Sequence, residues 1–144
     1  MGKKRIAGGK GGGLDSELKN RALSRLPKKK LESGRVYIQS TYNNTLMTLT
    51  NGAWDAIIWS SAGAIGFKGT RKGTPYAASK VAELLIEKAR IIGLTGIELF
   101  IKGIGTGRES SIRSFVASGI NISAIRDITP IPHNGPRPPK VRRV

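Results

Sequence analysis

The 144-residue chain has no cysteine, a single histidine and only nine acidic residues, and no apolar run approaches the length that spans a bilayer. Without cysteine there are no disulfides and no thiolate metal ligands, and one histidine leaves no zinc constellation. The scarcity of acids bears on catalysis. Asp55, Glu83, Glu87, Glu98, Glu109 and Asp127 are scattered, and Glu83 and Glu87 stand at a helical spacing suited to surface pairing with nearby cations. A metal-dependent nuclease needs several carboxylates converging from strands, yet Arg35 to Thr41 and Thr45 to Thr50 contain none. His133 has no base or nucleophile beside it. The expectation is a protein that is not an enzyme and uses no metal or cofactor. A secretory leader is not expected either, because Met1-Gly2-Lys3-Lys4-Arg5 runs into a Gly-rich stretch rather than an apolar one, and Ile6 breaks the myristoylation pattern. No membrane partner is expected.

What the chain has in excess is positive charge. Its 25 Lys and Arg leave a net charge of +16, which opposes compact folding unless an anion neutralises it. Residues 1–35 carry 11 bases and 3 acids, residues 36–128 carry 10 and 6, and residues 129–144 carry 4 and none. Two basic arms therefore flank a body of about 93 residues, long enough for one core and too short for two ordinary domains. The boundaries expected are a Gly/Lys-rich N-terminal extension over 1–33, a globular α/β domain over 34–128 and a Pro/Arg-rich tail over 129–144. That tail holds five prolines and four cations, so it is biased to extended polyproline II and cannot form a core element. Such a segment is either a solvated terminus or a strand of charge laid along a polyanion, where each cation that meets a phosphate releases a counterion.

Periodicity supplies the elements between the arms. Leu14, Leu18, Ala22 and Leu26 recur every four residues before Pro27, marking a short amphipathic helix that needs a neighbour. The run Lys28-Lys29-Lys30 follows as a linker. Arg35 to Thr41, Thr45 to Thr50 and Ala56 to Ser61 are rich in β-branched and aromatic residues. They are separated by Asn43-Asn44 and Asn51-Gly52, which tolerate the positive φ of tight hairpins. This predicts a three-stranded antiparallel meander. Ser61 to Gly73 reads as a loop with a cationic tip and no regular element. Thr74-Pro75 opens a helix with buried stripe Ala78, Val81, Ala82, Leu85, Ala89 and Ile92, stopped by Gly93. A strand from Ile97 to Lys102, a helix from about Arg108 to Ser118 and a strand from Ile120 to Ile128 complete the order. In the second helix Ile112, Phe115 and Val116 are expected on the core face, with Gly119 as cap. Meander, helix, strand, helix, strand implies an α/β fold with a mixed sheet whose later strands are parallel.

Two glycine-rich loops end at helix starts. Gly103-Ile104-Gly105-Thr106-Gly107 resembles a phosphate-cradling turn, and Asp127 lies twenty residues after Gly107, the placement of a dinucleotide's ribose ligand. The spacing is GxGxG rather than GxGxxG, and only one strand follows. A small basic enzyme or nucleotide-binding domain built on this turn is the competing class. Free N–H groups at the helix start beside Arg108 and Arg113 also suit an RNA phosphate; a plain glycine turn with a surface arginine is the bland alternative. Gly66 to Thr74 places Lys68, Arg71 and Lys72 among hydroxyls and glycines before the other helix, and both loops are expected on one edge of the sheet. Gly63-Ala64-Ile65-Gly66 has the GxxG form of a KH loop without its helix-turn-helix setting. His133 is suited to stacking on a base, or is simply solvated. Asn134-Gly135 leaves a backbone nitrogen free to attack the Asn amide, so Asn134 is a candidate for isoaspartate formation; Asn51-Gly52 carries the same risk, restrained by its hairpin.

Four ordered motifs carry a resemblance that runs from about Gly34 to Val144. They are Tyr42-Asn43-Asn44-Thr45, Gly66-Phe67-Lys68-Gly69-Thr70-Arg71-Lys72-Gly73-Thr74-Pro75, Gly107-Arg108-Glu109-Ser110-Ser111-Ile112-Arg113, and Asp127-Ile128-Thr129-Pro130-Ile131-Pro132-His133-Asn134-Gly135 with the closing Arg-Pro-Pro-Lys and Arg-Arg-Val. In these the chain resembles the small-ribosomal-subunit protein eleven family of bacterial type. The resemblance implies a ribonuclease-H-like fold without its catalytic carboxylates, bound to 16S ribosomal RNA on the platform of the 30S subunit. It further implies a place near the messenger exit and the Shine-Dalgarno cleft, small-subunit proteins seven and eighteen as neighbours, no homo-oligomer, and a cytoplasmic or bacterial-type organellar ribosome. Ile104 and Thr106 depart from the family's usual Gly-Pro-Gly-Pro-Gly, and Pro136 stands where Cys is common. The RNA-binding residues expected are Asn43, Asn44, Lys68, Gly69, Thr70, Arg71, Lys72, Gly105, Gly107, Arg108, Arg113, His133, Asn134, Arg137, Lys140, Arg142 and Arg143.

Overall fold

Strict alternation drives the first strand: Val36, Ile38 and Ser40 are buried on one face, and Arg35, Tyr37 and Gln39 take the other. The computed structural model, which describes residues 16–24, 26 and 30–141, sets this strand, β1 (Ser33–Ser40), at the centre of a five-stranded sheet. Residues 1–15, Lys28, Lys29, Arg142 and Arg143 lie outside the described residues. β2 (Thr45–Thr50) and β3 (Ala56–Ser61) form the expected antiparallel meander on one side of β1. On its other side β4 (Gly96–Lys102) runs parallel to β1, and β5 (Asn121–Asp127) parallel to β4, in the order β3-β2-β1-β4-β5.

Among the described residues three α-helices accompany the sheet: α1 (Ser16–Leu23), α2 (Pro75–Ile92) and α3 (Gly107–Ala117). α2 begins where its signals placed it, with the Ala77 N–H donating to Thr74 Oγ1 at 3.3 Å and Pro75 in the first turn. It ends at Gly93, whose φ of 89° lies in the left-handed region and whose N–H donates to the Ala89 and Arg90 carbonyls. The predicted stripe from Ala78 to Ile92 is buried throughout, and it packs on Val36, Ile38, Met47, Leu49, Leu99 and Ile101 of the sheet. Lys88 joins that buried side by its aliphatic stem, and burial lowers its ammonium pKa. Leu23 and Leu26 pack against the same core, so the short first helix has the neighbour it needs. No described helix is long and apolar enough to cross a membrane.

Local expectations are corrected in three places. The hairpins do not use positive φ at Asn43, Asn44, Asn51 or Gly52; the left-handed residue is Trp54, with φ 70°. Side chains close these turns instead. Thr41 Oγ1 accepts from the Asn44 N–H at 3.1 Å, and Asn44 Oδ1 accepts from the Thr45 N–H at 3.0 Å. Asn51 Oδ1 likewise accepts from the Asp55 N–H at 2.9 Å while its Nδ2 donates to the Asp55 carboxylate at 3.0 Å.

The Ser61–Gly73 segment is not wholly irregular, for Gly69–Gly73 winds into a 3₁₀ turn directly before α2. Buried Ala62 and Ile65 anchor the segment, and three-residue periodicity asks little of so short a run. Val116 is 59% exposed rather than in the core. The buried side of α3 runs through Gly107, Ser111 and Phe115, with Ser111 Oγ donating to the Gly107 carbonyl at 2.6 Å. Small residues are needed there because a Cβ on Gly107 would come within 2.8 Å of Ala78 Cβ on α2.

Thr74 does two jobs, since its hydroxyl also donates to the Arg71 carbonyl at 2.7 Å and so joins the 3₁₀ turn to the helix cap. Thr74→Ala is expected to destabilise the protein by about 1 kcal/mol in urea unfolding, with the slope unchanged. Thr74→Ser, which keeps the acceptor, is expected to recover most of that loss.

Candidate nucleic-acid interface

Because β2 alone runs antiparallel to the rest, the carboxyl ends of β1, β3, β4 and β5 emerge at the same edge of the sheet. Ser40, Ser61, Lys102 and Asp127 mark these ends. The β1–β2 turn, the 62–74 segment, the 103–106 turn and the start of the tail all leave from there. The expectation that both cationic loops share one edge is therefore met.

Backbone contacts fuse the loops. A Cβ on Gly73 would strike the Tyr42 carbonyl, one on Gly103 the Ser40 carbonyl, and one on Gly105 the Thr41 carbonyl. Gly103 also has φ 101°, so no other residue fits it without strain. The Gly105 N–H donates to the Ser40 carbonyl at 3.0 Å, and Thr106 Oγ1 donates to the Gly73 carbonyl at 2.7 Å, tying the second loop to the first. Ser40 and Thr45, register partners under this junction, bury hydroxyls that have no hydrogen-bond partner among the described residues. Their smallness lets the glycine turn come down onto β1.

The cations divide into two groups. Lys68, Arg71 and Lys72 have no carboxylate partner among the described residues, and Lys68 and Arg71 are exposed with Thr70 and Gly69 between them. Arg108 behaves differently. Its guanidinium donates to the Gly103 carbonyl at 2.5 Å, to Thr129 Oγ1 at 3.3 Å and to the Asp127 carboxylate at 2.7 Å. Thr129 completes the clamp, donating from its hydroxyl and its N–H to Asp127 Oδ1 at 2.6 and 2.9 Å while accepting from the Gly103 N–H at 3.2 Å. Arg108 thus holds the 103–107 turn to the start of the tail. Asp127, the ribose ligand of the dinucleotide reading, is engaged in the same clamp.

Arg113 sits one turn further along α3, exposed and paired with Glu109 at 2.6 Å. Thr106 gives the α3 start no side-chain cap, but Glu109 in the first turn competes with any incoming anion for its partial positive charge. Asn43 is exposed in the β1–β2 turn and Asn44 half-buried, its side chain used in closing that turn. His133, Asn134, Arg137 and Lys140 lie exposed on the tail. Beyond Thr129 no described tail residue hydrogen-bonds to the body, and Asn134 has φ 57°. Sequence reasoning missed Tyr42, 74% exposed against the Gly73 approach, and Lys102, an exposed cation without an acid partner at the end of β4. An aromatic beside Asn-Asn and a basic residue closing an apolar strand were the available signals. Among the described residues no three His, Cys, Asp or Glu side chains gather as metal ligands.

The fold and this edge define a class: an α/β protein that gathers unpaired cations and glycine-rich backbone on one side of a mixed sheet, as polyanion-binding proteins do. A family model described as Ribosomal protein S11 matches residues 34–143. The chain belongs to the ribosomal protein S11 family, whose members are structural proteins of the small ribosomal subunit that bind ribosomal RNA.

The clamp has a pH signature. Hydrogen bonding from Arg108, then from Thr129, holds the Asp127 carboxyl far below the usual carboxylate range. A carboxyl whose pKa is lower folded than unfolded stabilises the fold above its unfolded pKa, and that contribution is lost as acid protonates it in the native state. Asp127→Asn is therefore expected to lower the urea midpoint at pH 7. The gap from the parent protein should narrow as the pH falls below about 4 and close in strong acid.

Proposed function

We propose that the loop edge grips 16S ribosomal RNA on the platform of the small subunit. In this reading it bridges RNA helices near the messenger exit and the Shine-Dalgarno cleft and supports subunit assembly, with proteins seven and eighteen as neighbours in a cytoplasmic ribosome of bacterial type. The observation that carries the reading is the convergence of unpaired Lys68, Arg71 and Lys72 with the glycine turns on a single rigid edge. Their charge meets phosphates, and exposed Gly69, with open space where a Cβ would stand, lets the sugar-phosphate chain approach the backbone, while buried Gly105 and Gly107 shape the turn beside it. Asn43 and Asn44 offer amide donors and acceptors at the rim. The arms over 1–33 and 129–144 extend the grip: Arg137, Lys140, Arg142 and Arg143 neutralise phosphates along the tail, and His133 and Asn134 contact exposed bases. The free tail is ordered by RNA rather than by the body. Arg108 serves this function by shaping the 103–107 turn, and Arg113 adds a peripheral charge.

Because Arg108 is a clamp, the informative variant spares it. Replacing Lys68, Arg71 and Lys72 together with Ala is expected to leave the far-ultraviolet spectrum and urea midpoint unchanged. In filter binding to 16S ribosomal RNA it should weaken affinity and flatten the log-log salt slope by about 0.7–0.9 for each phosphate that is no longer neutralised. An unchanged slope would exclude this edge as the RNA grip, and tight saturable binding of a mononucleotide would favour the nucleotide-binding class instead.

A further inference from the structure

The sheet has a second face. α2 and α3 pack on the side of Val36, Met47 and Leu99, and among the described residues no helix covers the side of Tyr37 and Phe100. On that open side one register row crosses all five strands: Trp59, Thr48, Tyr37, Phe100 and Arg126. Tyr37 and Phe100 stack at 5.0 Å between centroids with a 16° interplanar angle, and Arg126 lies over the Phe100 ring at 5.7 Å. Trp54 reaches back from the β2–β3 loop to within 6.3 Å of Tyr37, with the Arg35 guanidinium over its ring at 4.3 Å.

Two features of this row are not explained by folding. Trp59 on the edge strand β3 is 61% exposed and Trp54 in the β2–β3 loop 65% exposed, so two large apolar rings are left in water on this face. Trp54 also occupies left-handed backbone, which a bulky residue adopts only where the surroundings compel it. The charge around the rings is mainly positive: among the described residues of the strands, Arg35, Arg126 and Lys102 share this face with one acid, Glu98, which pairs with Arg35 at 3.5 Å. A protein partner would have to bring acids for those cations and apolar side chains for the rings. An unpaired nucleotide brings both a phosphate and a π-face.

We propose that the open sheet face is a stacking platform for unpaired RNA nucleotides. Trp59 and Trp54 take bases on their exposed faces. The Tyr37–Phe100 stack is the rigid floor, Arg35 positions Trp54, and Arg126 and Lys102 meet the flanking phosphates. Aromatic rings spaced across a sheet bind successive splayed bases in this manner, and the 4.7–4.9 Å strand spacing puts Trp59 and Phe100 about 14 Å apart along the row. The platform deepens the RNA-binding reading but lies on a different surface from the loop edge, and it works by stacking rather than by charge alone.

Trp54 and Trp59 are the only tryptophans in the chain, so fluorescence excited at the red edge, where tryptophan alone absorbs, reports on this face. With the full-length protein, single-stranded oligoadenylate is expected to quench that fluorescence, while an RNA duplex of equal length, matched in phosphate, leaves it nearly unchanged. The Lys68/Arg71/Lys72→Ala variant should keep the quench, which separates a failure of the loop edge from a failure of the platform. Trp54→Ala with Trp59→Ala should weaken oligoadenylate binding by roughly tenfold or more, and Trp59→Phe, which retains a π-face, should lose little. Absent quenching, or equal quenching by the duplex, overturns the proposal. A protein occupant would show itself in reconstituted subunits: with no native cysteine, Thr48→Cys carries a photocrosslinker at one site, and adducts to protein without adducts to RNA would also overturn it.

Discussion

The candidate interface depends on one close contact, the descent of the 103–107 turn onto the carbonyl end of β1. Gly103 and Gly105 lie so near the Ser40 and Thr41 carbonyls that a methyl group on either would collide with backbone. Everything at the edge follows from that approach. It brings Thr106 within reach of Gly73, which draws the 3₁₀ turn and its cations against the β1–β2 turn. It also sets Gly107 against α2, so that the same turn that builds the edge joins the two helices covering the core. Arg108, Asp127 and Thr129 then fasten the turn from outside. An edge made of backbone and short loops needs such fastening, because each ordered loop residue opposes folding by about 1–2 kcal/mol of backbone entropy.

The charge distribution follows the same division between body and edge. Arg35, Lys80 and Arg113 each meet a carboxylate away from the loop edge, and Arg108 meets Asp127 in the clamp at that edge. Among the described residues Lys68, Arg71, Lys72 and Lys102 do not, and these belong to the loop edge or the strand end that feeds it, while Arg90 donates to the Ser118 carbonyl and Arg126 lies over the Phe100 ring. With a net charge of +16 the free protein carries this repulsion at its edge and arms, away from a core that is almost wholly apolar. An anion that occupies the edge relieves the repulsion, so RNA binding and folding stability are linked.

Much of this was legible in the residues. Alternation in β1 and β2, the Thr74-Pro75 start and the Gly93 stop of α2 are strong local signals, because each reflects a backbone group that must be satisfied within a few residues. Harder to read were features set by distant partners. Val116 looks like a core residue and is exposed because Gly107, Ser111 and Phe115 form the buried side of α3, and small residues there serve a contact with Ala78 that lies far away in sequence. Arg108 looks like an anion ligand beside a glycine turn. Its clamp role became visible only when the parallel pairing of β4 and β5 brought Asp127 beside it. The hairpins went the same way: Asn residues close them through side-chain hydrogen bonds, and the left-handed position falls on Trp54.

The left-handed tryptophan stands at the other end of the sheet from the loop edge, in the connection that leaves the carboxyl end of antiparallel β2. A five-residue connection between β2 and β3 with a register shift at Leu49/Thr50 leaves one residue in left-handed backbone, and Asn51 and Gly52 were both available in sequence to take it. The chain instead places Trp54 there, where the Arg35 guanidinium lies over its indole and the Tyr37 ring stands near it at a tilt. Those interactions compensate part of the strain, but a smaller residue in the same loop would have had no strain to offset. On the proposed reading the same sheet offers RNA two different chemistries: cations without a carboxylate partner among the described residues at the carboxyl edge, and rings with flanking guanidinium groups across the open face. The first responds to phosphate density and falls with salt; the second responds to whether bases are free to leave their helix. Under that proposal the pair of surfaces would discriminate between duplex and single-stranded neighbours without reading a sequence.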